Sequence, residues 1–148
     1  MKLSPDGNTF TEIVLETFKL SGLLTTVGDS IAASAGINSA RWKILGAIYL
    51  SSHSLTVPQI ARTMGQSRQA VQRLVDIMHK DNLLTFSDNP NHKKAKLIAL
   101  TEKGSAIYLK VDEQQIPWAN NLADNLDAKD LATTLQTLKK IQQAMDAK

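Results

Sequence analysis

The side chains with the clearest chemical potential form a short polar series, which consists of Ser67, Arg68, Gln69, Gln72 and Arg73. Arginine can make two hydrogen bonds to guanine and glutamine two to adenine, while serine and basic side chains bind phosphate. On a helix these positions share one face, and no acidic residue follows Ser67 before Asp76. A merely solvated face usually mixes both signs of charge. The series therefore predicts a surface that reads double-stranded DNA, with an ordinary polar helix face as the alternative.

Two helices joined by a tight turn are needed to present such a face. In a helix-turn-helix the inward-facing residues must be apolar, and the residue where the two helices approach most closely must be small. The turn needs a residue that tolerates a positive φ. The segment 57–75 meets these demands at six positions: Ile60, Ala61, Met64, Gly65, Val71 and Leu74. We expect the reading helix to run from Ser67 to about Lys80.

A basic hairpin follows this helix. The runs 83–86 and 96–100 are typical of short strands, and the segment 88–92 between them is rich in turn-forming residues. The basic residues at or beside its tip are His92, Lys93, Lys94 and Lys96. Such a wing can contact the DNA backbone or the neighbouring minor groove. A turn that serves only solubility is the alternative.

Charge and composition are consistent with this interpretation. The net charge is +3, and the segment 62–103 alone contains eight basic and four acidic residues, so the positive excess lies there. The absence of cysteine excludes disulfides, thiol catalysis and thiol-based redox sensing. No apolar run reaches the ~18 residues that span a bilayer, and residues 1–8 do not resemble a secretion signal. We expect a cytoplasmic protein with no membrane partner.

Long amphipathic helices flank the winged segment. The first is expected to begin near Asn8 or Thr9, where Thr9 forms a capping-box pattern with Glu12, and to stop at Gly36. The last begins at Asp127, and Pro117 is expected to kink or interrupt the preceding helix near Glu113. Their apolar stripes are too long for a small winged-helix core to bury, which predicts a homodimer.

The predicted fold is mainly α with a small β-hairpin wing, a winged helix-turn-helix with N- and C-terminal dimerisation helices. We expect residues 1–148 to form a single winged-helix domain. Residues 37–103 would be the DNA-binding winged helix-turn-helix, and residues 1–36 plus 104–148 the helical dimerisation region.

The same order of elements resembles the MarR family of winged-helix transcriptional regulators. The resemblance is carried by the segments 67–76, 89–96 and 99–104 (SRQAVQRLVD, NPNHKKAK and ALTEKG). It implies a homodimer with interlocking terminal helices, two recognition helices in successive major grooves, and often a small aromatic or phenolic effector. The family's wing often carries an acidic residue followed by Arg. Here the equivalent segment is 91–94, where Lys93 offers a point charge without a planar fork, so phosphate contact is expected rather than minor-groove insertion.

Other kinds of site have less support in the sequence. Trp42 and His53 are candidates for lining an effector pocket, although a tryptophan at the position of Trp42 is more often part of the core. The histidines His53, His79 and His92 are scattered, so neither a metal nor another cofactor is expected. No nucleophile elbow, phosphate loop or paired catalytic carboxylates suggest an enzyme. The alternative function is a winged-helix module that binds protein rather than DNA.

Overall fold

The fold is mainly helical with one β-hairpin. The computed structural model describes residues 1–147. They form α1 (Pro5–Ala33), α2 (Ser39–Tyr49), α3 (Val57–Met64), α4 (Arg68–Lys80), β1 (Leu84–Ser87), β2 (Leu97–Leu100), α5 (Glu102–Ala123) and α6 (Ala128–Asp146). The predicted fold class, a winged helix-turn-helix with flanking helices, is confirmed.

The chain divides into two compact units. The first covers Met1–Asp112 and holds the winged helix-turn-helix together with α1 and the beginning of α5. The second begins at Glu113 and contains the rest of α5 and all of α6. None of the helices described is long and apolar enough to cross a membrane.

The core of the first unit holds the two helices of the helix-turn-helix together. Fully buried side chains come from α2, α3, α4 and both strands, among them Ile44, Leu45, Ile60, Val71, Val75, Met78, Leu84 and Ile98. Ala61 is 3% exposed, and Gly65 ends α3 in the left-handed region with a φ of 64°. A side chain at Gly65 would be strained there, because only glycine adopts this region freely. The register predicted for the helix-turn-helix therefore matches the observed burial.

The wing is an antiparallel pair in which Leu84 lies opposite Leu100 and Ser87 opposite Leu97. A further bridge joins the wing to the segment before α3. The Leu55 N–H donates to the Ile98 carbonyl at 3.2 Å, and the Ile98 N–H donates back at 2.7 Å. A single bridging residue has no period, so the sequence pattern did not predict it.

The start of α5 is docked on the connection between α4 and β1. Asn82 has a φ of 61°, and its carbonyl accepts from the Thr101 hydroxyl at 2.6 Å. The Thr101 N–H donates to the Leu83 carbonyl at 3.1 Å. A Cβ atom on Gly104 would lie 2.2 Å from the same Leu83 oxygen, so only glycine permits this approach. The junction fixes the end of α4, the start of the wing and the start of α5 together.

The first helix begins earlier than the sequence analysis expected. Ser4 is the N-cap and its hydroxyl accepts from the Gly7 N–H at 3.0 Å, with Pro5 in the first turn. The start predicted near Asn8 or Thr9 is therefore wrong, because a serine followed by proline supplies an earlier cap. All five threonines of α1 donate their hydroxyl hydrogen to the carbonyl four residues earlier, at 2.7–3.3 Å.

Pro117 does not interrupt α5, which is continuous from Glu102 to Ala123. The interruption expected near Glu113 is therefore wrong. A proline removes only one hydrogen bond of the helix, the one to the carbonyl four residues earlier, and the other bonds of α5 keep the helix continuous.

The last helix begins at the predicted cap. Asp127 is the N-cap, and its Oδ1 accepts hydrogen bonds from the N–H groups of Lys129 at 2.9 Å and Asp130 at 3.1 Å. No residue of α6 is buried within the chain as described. Its apolar stripe is solvent-exposed at Leu131, Leu135, Leu138 and Met145.

Candidate nucleic-acid interface

The outward face of α4 carries the polar series. Ser67 is the N-cap of the helix and its hydroxyl accepts from the Ala70 N–H at 3.1 Å. The exposed side chains on this face are those of Arg68, Gln69, Gln72 and Arg73. On the opposite face of the helix, the side chains of Val71, Val75 and Met78 are buried. A helix advances 100° per residue, so this division into two faces follows from the spacing of the buried positions.

The far end of α4 is held in place from two directions. The Arg41 guanidinium contacts the Asp81 carboxylate at 2.9 Å, and the Lys103 ammonium donates to the Asp81 carbonyl at 3.0 Å. Asp81 thereby links α4 to α2 and α5. The exposed face is presented by a helix whose orientation the rest of the first unit determines.

The tip of the wing is ordered by side-chain caps. The Asn89 carboxamide oxygen accepts from the Asn91 N–H at 3.0 Å, and His92 Nδ1 accepts from the Ala95 N–H at 3.1 Å. A nitrogen that accepts carries no hydrogen, so the neutral His92 ring holds its hydrogen on Nε2. The ring is exposed, and Nε2 is left as a donor beside the lysines of the tip.

A cleft of about 380 Å³ lies between α4 and the wing. Its apolar floor includes Val57, Phe86 and Ile98. Six of the nine residues proposed from the sequence line it: Arg68, Gln69, Gln72, His92, Lys94 and Lys96. The fold therefore brings the reading helix and the basic wing to one surface.

The other three residues lie outside this cleft. Ser67 caps the helix, Arg73 is exposed one turn further along α4, and Lys93 is exposed at the wing tip. Neither Arg73 nor Lys93 forms an ion pair with any residue in the range 1–147. Both cations are thus available to an external anion.

Lys96 differs from the wing lysines Lys93 and Lys94 because it already has an anionic partner within residues 1–147. Its ammonium pairs with the Asp88 carboxylate across the hairpin. This hydrogen bond and the lysine charge hold the pKa of Asp88 below its usual value. The carboxylate is 93% exposed, so the pair adds little stability. Asp88 was not predicted as a partner of Lys96, although facing positions on a hairpin could have suggested it.

Asp76 is a second acidic residue that the sequence analysis left without a role. It lies on the exposed face of α4, and its Oδ1 accepts from Gln72 Nε2 at 2.9 Å. The spacing of four residues is the signal that would have predicted this contact.

The two residues suggested for a ligand pocket occupy different places. Trp42 is half-buried against the core, and a Cβ atom on Gly28 would lie 3.7 Å from its ring. His53 is exposed in the α2–α3 connection and lines a shallow pocket of about 270 Å³ together with Tyr49 and Ser105. Trp42 does not line that pocket.

The chemistry of this surface suits a long polyanion. Cationic and amide side chains project from one convex helix, and further cations project from a hairpin beside it. The width of an α-helix matches the major groove of B-DNA, and the base edges there offer hydrogen-bond partners for arginine and glutamine.

Comparison with known proteins agrees with this fold. Residues 35–95 match the sequence model described as the MarR family. The chain is 36% identical to an uncharacterized protein of Mycobacterium tuberculosis over 135 residues, which cover 91% of this chain and 93% of that protein.

Solved structures with low sequence identity share the fold. A MarR/EmrR family regulator from Acinetobacter sp. ADP1 has a TM-score of 0.82 at 19% identity and covers 93% of this chain and 97% of its own. A mutant of MarR from E. coli complexed with operator DNA has a TM-score of 0.76 at 21% identity, covering 90% and 96%. CouR from Rhodococcus jostii RHA1, bound to p-coumaroyl-CoA, has a TM-score of 0.77 at 18% identity, covering 87% and 90%.

Proposed function

The chain belongs to the MarR family of winged-helix transcriptional regulators, and we propose that it binds specific double-stranded DNA sites as a homodimer in the cytoplasm. The observation that carries this proposal is the shared surface of α4 and the wing. Six of the nine candidate side chains line one cleft, and the remaining cations beside it have no internal ion pair in the range 1–147.

The proposal assigns different tasks to the two elements of this surface. The α4 helix enters the major groove, where Gln69, Gln72 and Arg73 reach base edges. Ser67 and Arg68 stand at the amino end of the helix, where free N–H groups favour a phosphate. The wing residues His92, Lys93, Lys94 and Lys96 contact the backbone and raise the affinity for all sequences.

The homodimer is supported by apolar side chains that the chain does not cover. In α1, Phe18 is 71% exposed and Leu23 58%, and α6 buries no residue in the part of the chain described. Large exposed apolar surfaces on proteins usually mark a site of protein–protein contact. A second copy is the occupant we propose, since a two-fold dimer places two α4 helices on half-sites about 34 Å apart. Sedimentation that shows only a monomer at micromolar concentration would exclude this assembly.

A small aromatic ligand is proposed as a regulator of DNA binding. The support is the fold shared with CouR, which was solved with p-coumaroyl-CoA bound. Trp42 and His53 are our candidates for contacts, at two separate places in the first unit. Titration of the protein–DNA complex with aromatic acids tests this, and a complex that none of them dissociates or tightens would remove the regulator from the proposal.

Selection of bound sites from random duplex DNA is the test of the central proposal. We expect a pseudo-palindromic motif and an affinity that falls steeply with salt. Arg73→Ala should lower affinity for the selected site by about 1–3 kcal/mol and relax the preference at one position in each half-site. A winged-helix module that binds protein instead would show no salt-dependent affinity for duplex DNA, and that result would replace DNA binding as the proposed function.

A further inference from the structure

An acidic side chain on a face that binds DNA needs an explanation. Asp76 is exposed on α4, where its negative charge opposes the approach of phosphate. It is in no ion pair with another residue of the range 1–147, so it does not serve to hold a neighbouring cation. Its side-chain contact is the hydrogen bond of 2.9 Å from Gln72 Nε2 to Asp76 Oδ1.

This contact determines which end of the Gln72 carboxamide faces the carboxylate. An ionised carboxylate only accepts hydrogen bonds, so the amino end of the amide must turn toward it. The carbonyl oxygen Oε1 then points away from Asp76, and one hydrogen on Nε2 remains free. A glutamine without this partner would present either end to a base.

We propose that Asp76 is a positioning residue that makes Gln72 select adenine at one position of each half-site. The inference rests on the proposed function, because it requires that α4 lies in the major groove. Adenine offers an amino hydrogen to Oε1 and N7 to the free hydrogen of Nε2. Cytosine offers only the amino group and is the second choice. Guanine and thymine place carbonyl oxygens opposite Oε1 and are rejected.

Asp76 would lower the affinity for DNA and raise the selectivity between bases. The charge of Asp76 lowers the affinity for every sequence alike, whereas the orientation of Gln72 changes the ratio between bases. The two effects can therefore be separated in one experiment, since a charge effect leaves the ratio unchanged.

The experiment is site selection and competition binding with the full chain and three variants, each checked by circular dichroism. Wild type should prefer adenine over guanine at the position read by Gln72 by about fivefold to a hundredfold. Gln72→Ala identifies that position by losing the preference there and nowhere else. Asp76→Ala should reduce the same preference by roughly two- to tenfold, because one net hydrogen bond orients the amide. Asp76→Glu keeps a carboxylate within reach and should retain the preference.

The outcomes separate this inference from the function on which it rests. A wild-type protein that selects no motif defeats the proposed function itself. If wild type selects a motif and Asp76→Ala strengthens binding to all sequences without changing any preference, Asp76 acts by charge alone and the inference is overturned. The same follows if Gln72→Ala leaves every position of the motif unchanged.

A measurement without DNA tests the hydrogen bond directly. The side-chain amide proton of Gln72 that faces the carboxylate should resonate downfield in wild type and shift on Asp76→Ala. A Gln72 amide signal that is identical in the two proteins would show that the contact is absent in solution and would overturn the positioning role.

Discussion

Replacing Gly104 by alanine tests the junction between α4, the wing and α5. The added Cβ would lie 2.2 Å from the Leu83 carbonyl oxygen, and non-bonded heavy atoms essentially never approach a Cβ atom closer than 3.0 Å. The oxygen is a backbone atom and the backbone alone fixes the position of the Cβ, so no rotamer change relieves the contact. The start of α5 must therefore move away from the end of α4 by about 0.8 Å or more.

This movement has a cost that follows from the contacts it strains. Two hydrogen bonds of Thr101 hold the junction, one to the Asn82 carbonyl at 2.6 Å and one to the Leu83 carbonyl at 3.1 Å. Their loss costs about 1–3 kcal/mol together, and crowding of a packed site costs a further ~1–3 kcal/mol. Alanine recovers about 1 kcal/mol of helix propensity. We expect a net loss of about 1–5 kcal/mol in the free energy of unfolding.

Thermal unfolding at one fixed protein concentration measures this loss. A chain of this length should lose roughly 2–20 °C in Tm, at about 2–4 °C per kcal/mol. Gly46→Ala, inside α2, is the matched control, because its Cβ would meet only the Tyr108 ring of α5 at 3.4 Å, which is an ordinary contact. The control should be neutral or stabilised by up to ~1 kcal/mol. If Gly104→Ala is as stable as the Gly46→Ala control, the close approach and the reasoning from it are refuted.

Three further changes test the charges of the first unit. Lys93→Ala should weaken binding to all duplex sequences alike and reduce the slope of log affinity against log salt by about 0.9, the value for one phosphate contact; an unchanged slope would exclude that contact. Asp88→Ala should free Lys96 for phosphate, raising affinity at low salt and steepening the slope, and equal slopes would contradict a competing ion pair. Hydrogen bonds from the Ser39 side chain and N–H hold the pKa of Asp29 below its usual value. A carboxylate with a lowered pKa in the folded state stabilises the fold above its unfolded-state pKa, and this is lost as pH falls through the folded-state pKa. Acid unfolding below about pH 4 should therefore be less steep for Asp29→Asn, and identical profiles would refute this contribution.

Local patterns carried enough information to predict the helix-turn-helix. The positions of Ile60, Ala61, Gly65 and Val71 follow from helical periodicity and from the positive φ that one turn requires, and both are properties of neighbouring residues. The caps at Ser67 and Asp127 were predictable for the same reason.

The sequence did not predict features that depend on contacts between distant segments, or on a choice between two local patterns of similar strength. The bridge between Leu55 and Ile98 joins segments far apart in the chain, and no period marks it. The helix continues through Pro117 because one missing hydrogen bond competes with the many bonds that remain in α5, and the sequence rule for proline does not weigh the two. The start of α1 required a choice between the caps Ser4 and Thr9.

Within the candidate site, residue types were easier to predict than their pairing. The cations of the wing were evident from composition, but the partner of Lys96 depended on the hairpin register. The contact between Gln72 and Asp76 has a recognisable spacing, yet an acidic residue on a basic face looked like the end of the pattern.

The threonines of α1 affect how a partner helix could move against it. Each of the five hydroxyls already donates to a carbonyl of its own helix, so none demands a matching acceptor from a neighbouring subunit. In a dimer held through α1, contact would then depend on the shape of apolar side chains rather than on fixed polar pairs. Such a contact can slide by small steps without breaking a hydrogen bond between the subunits. In such a dimer, the distance between the two α4 helices would then adjust to the spacing of the half-sites.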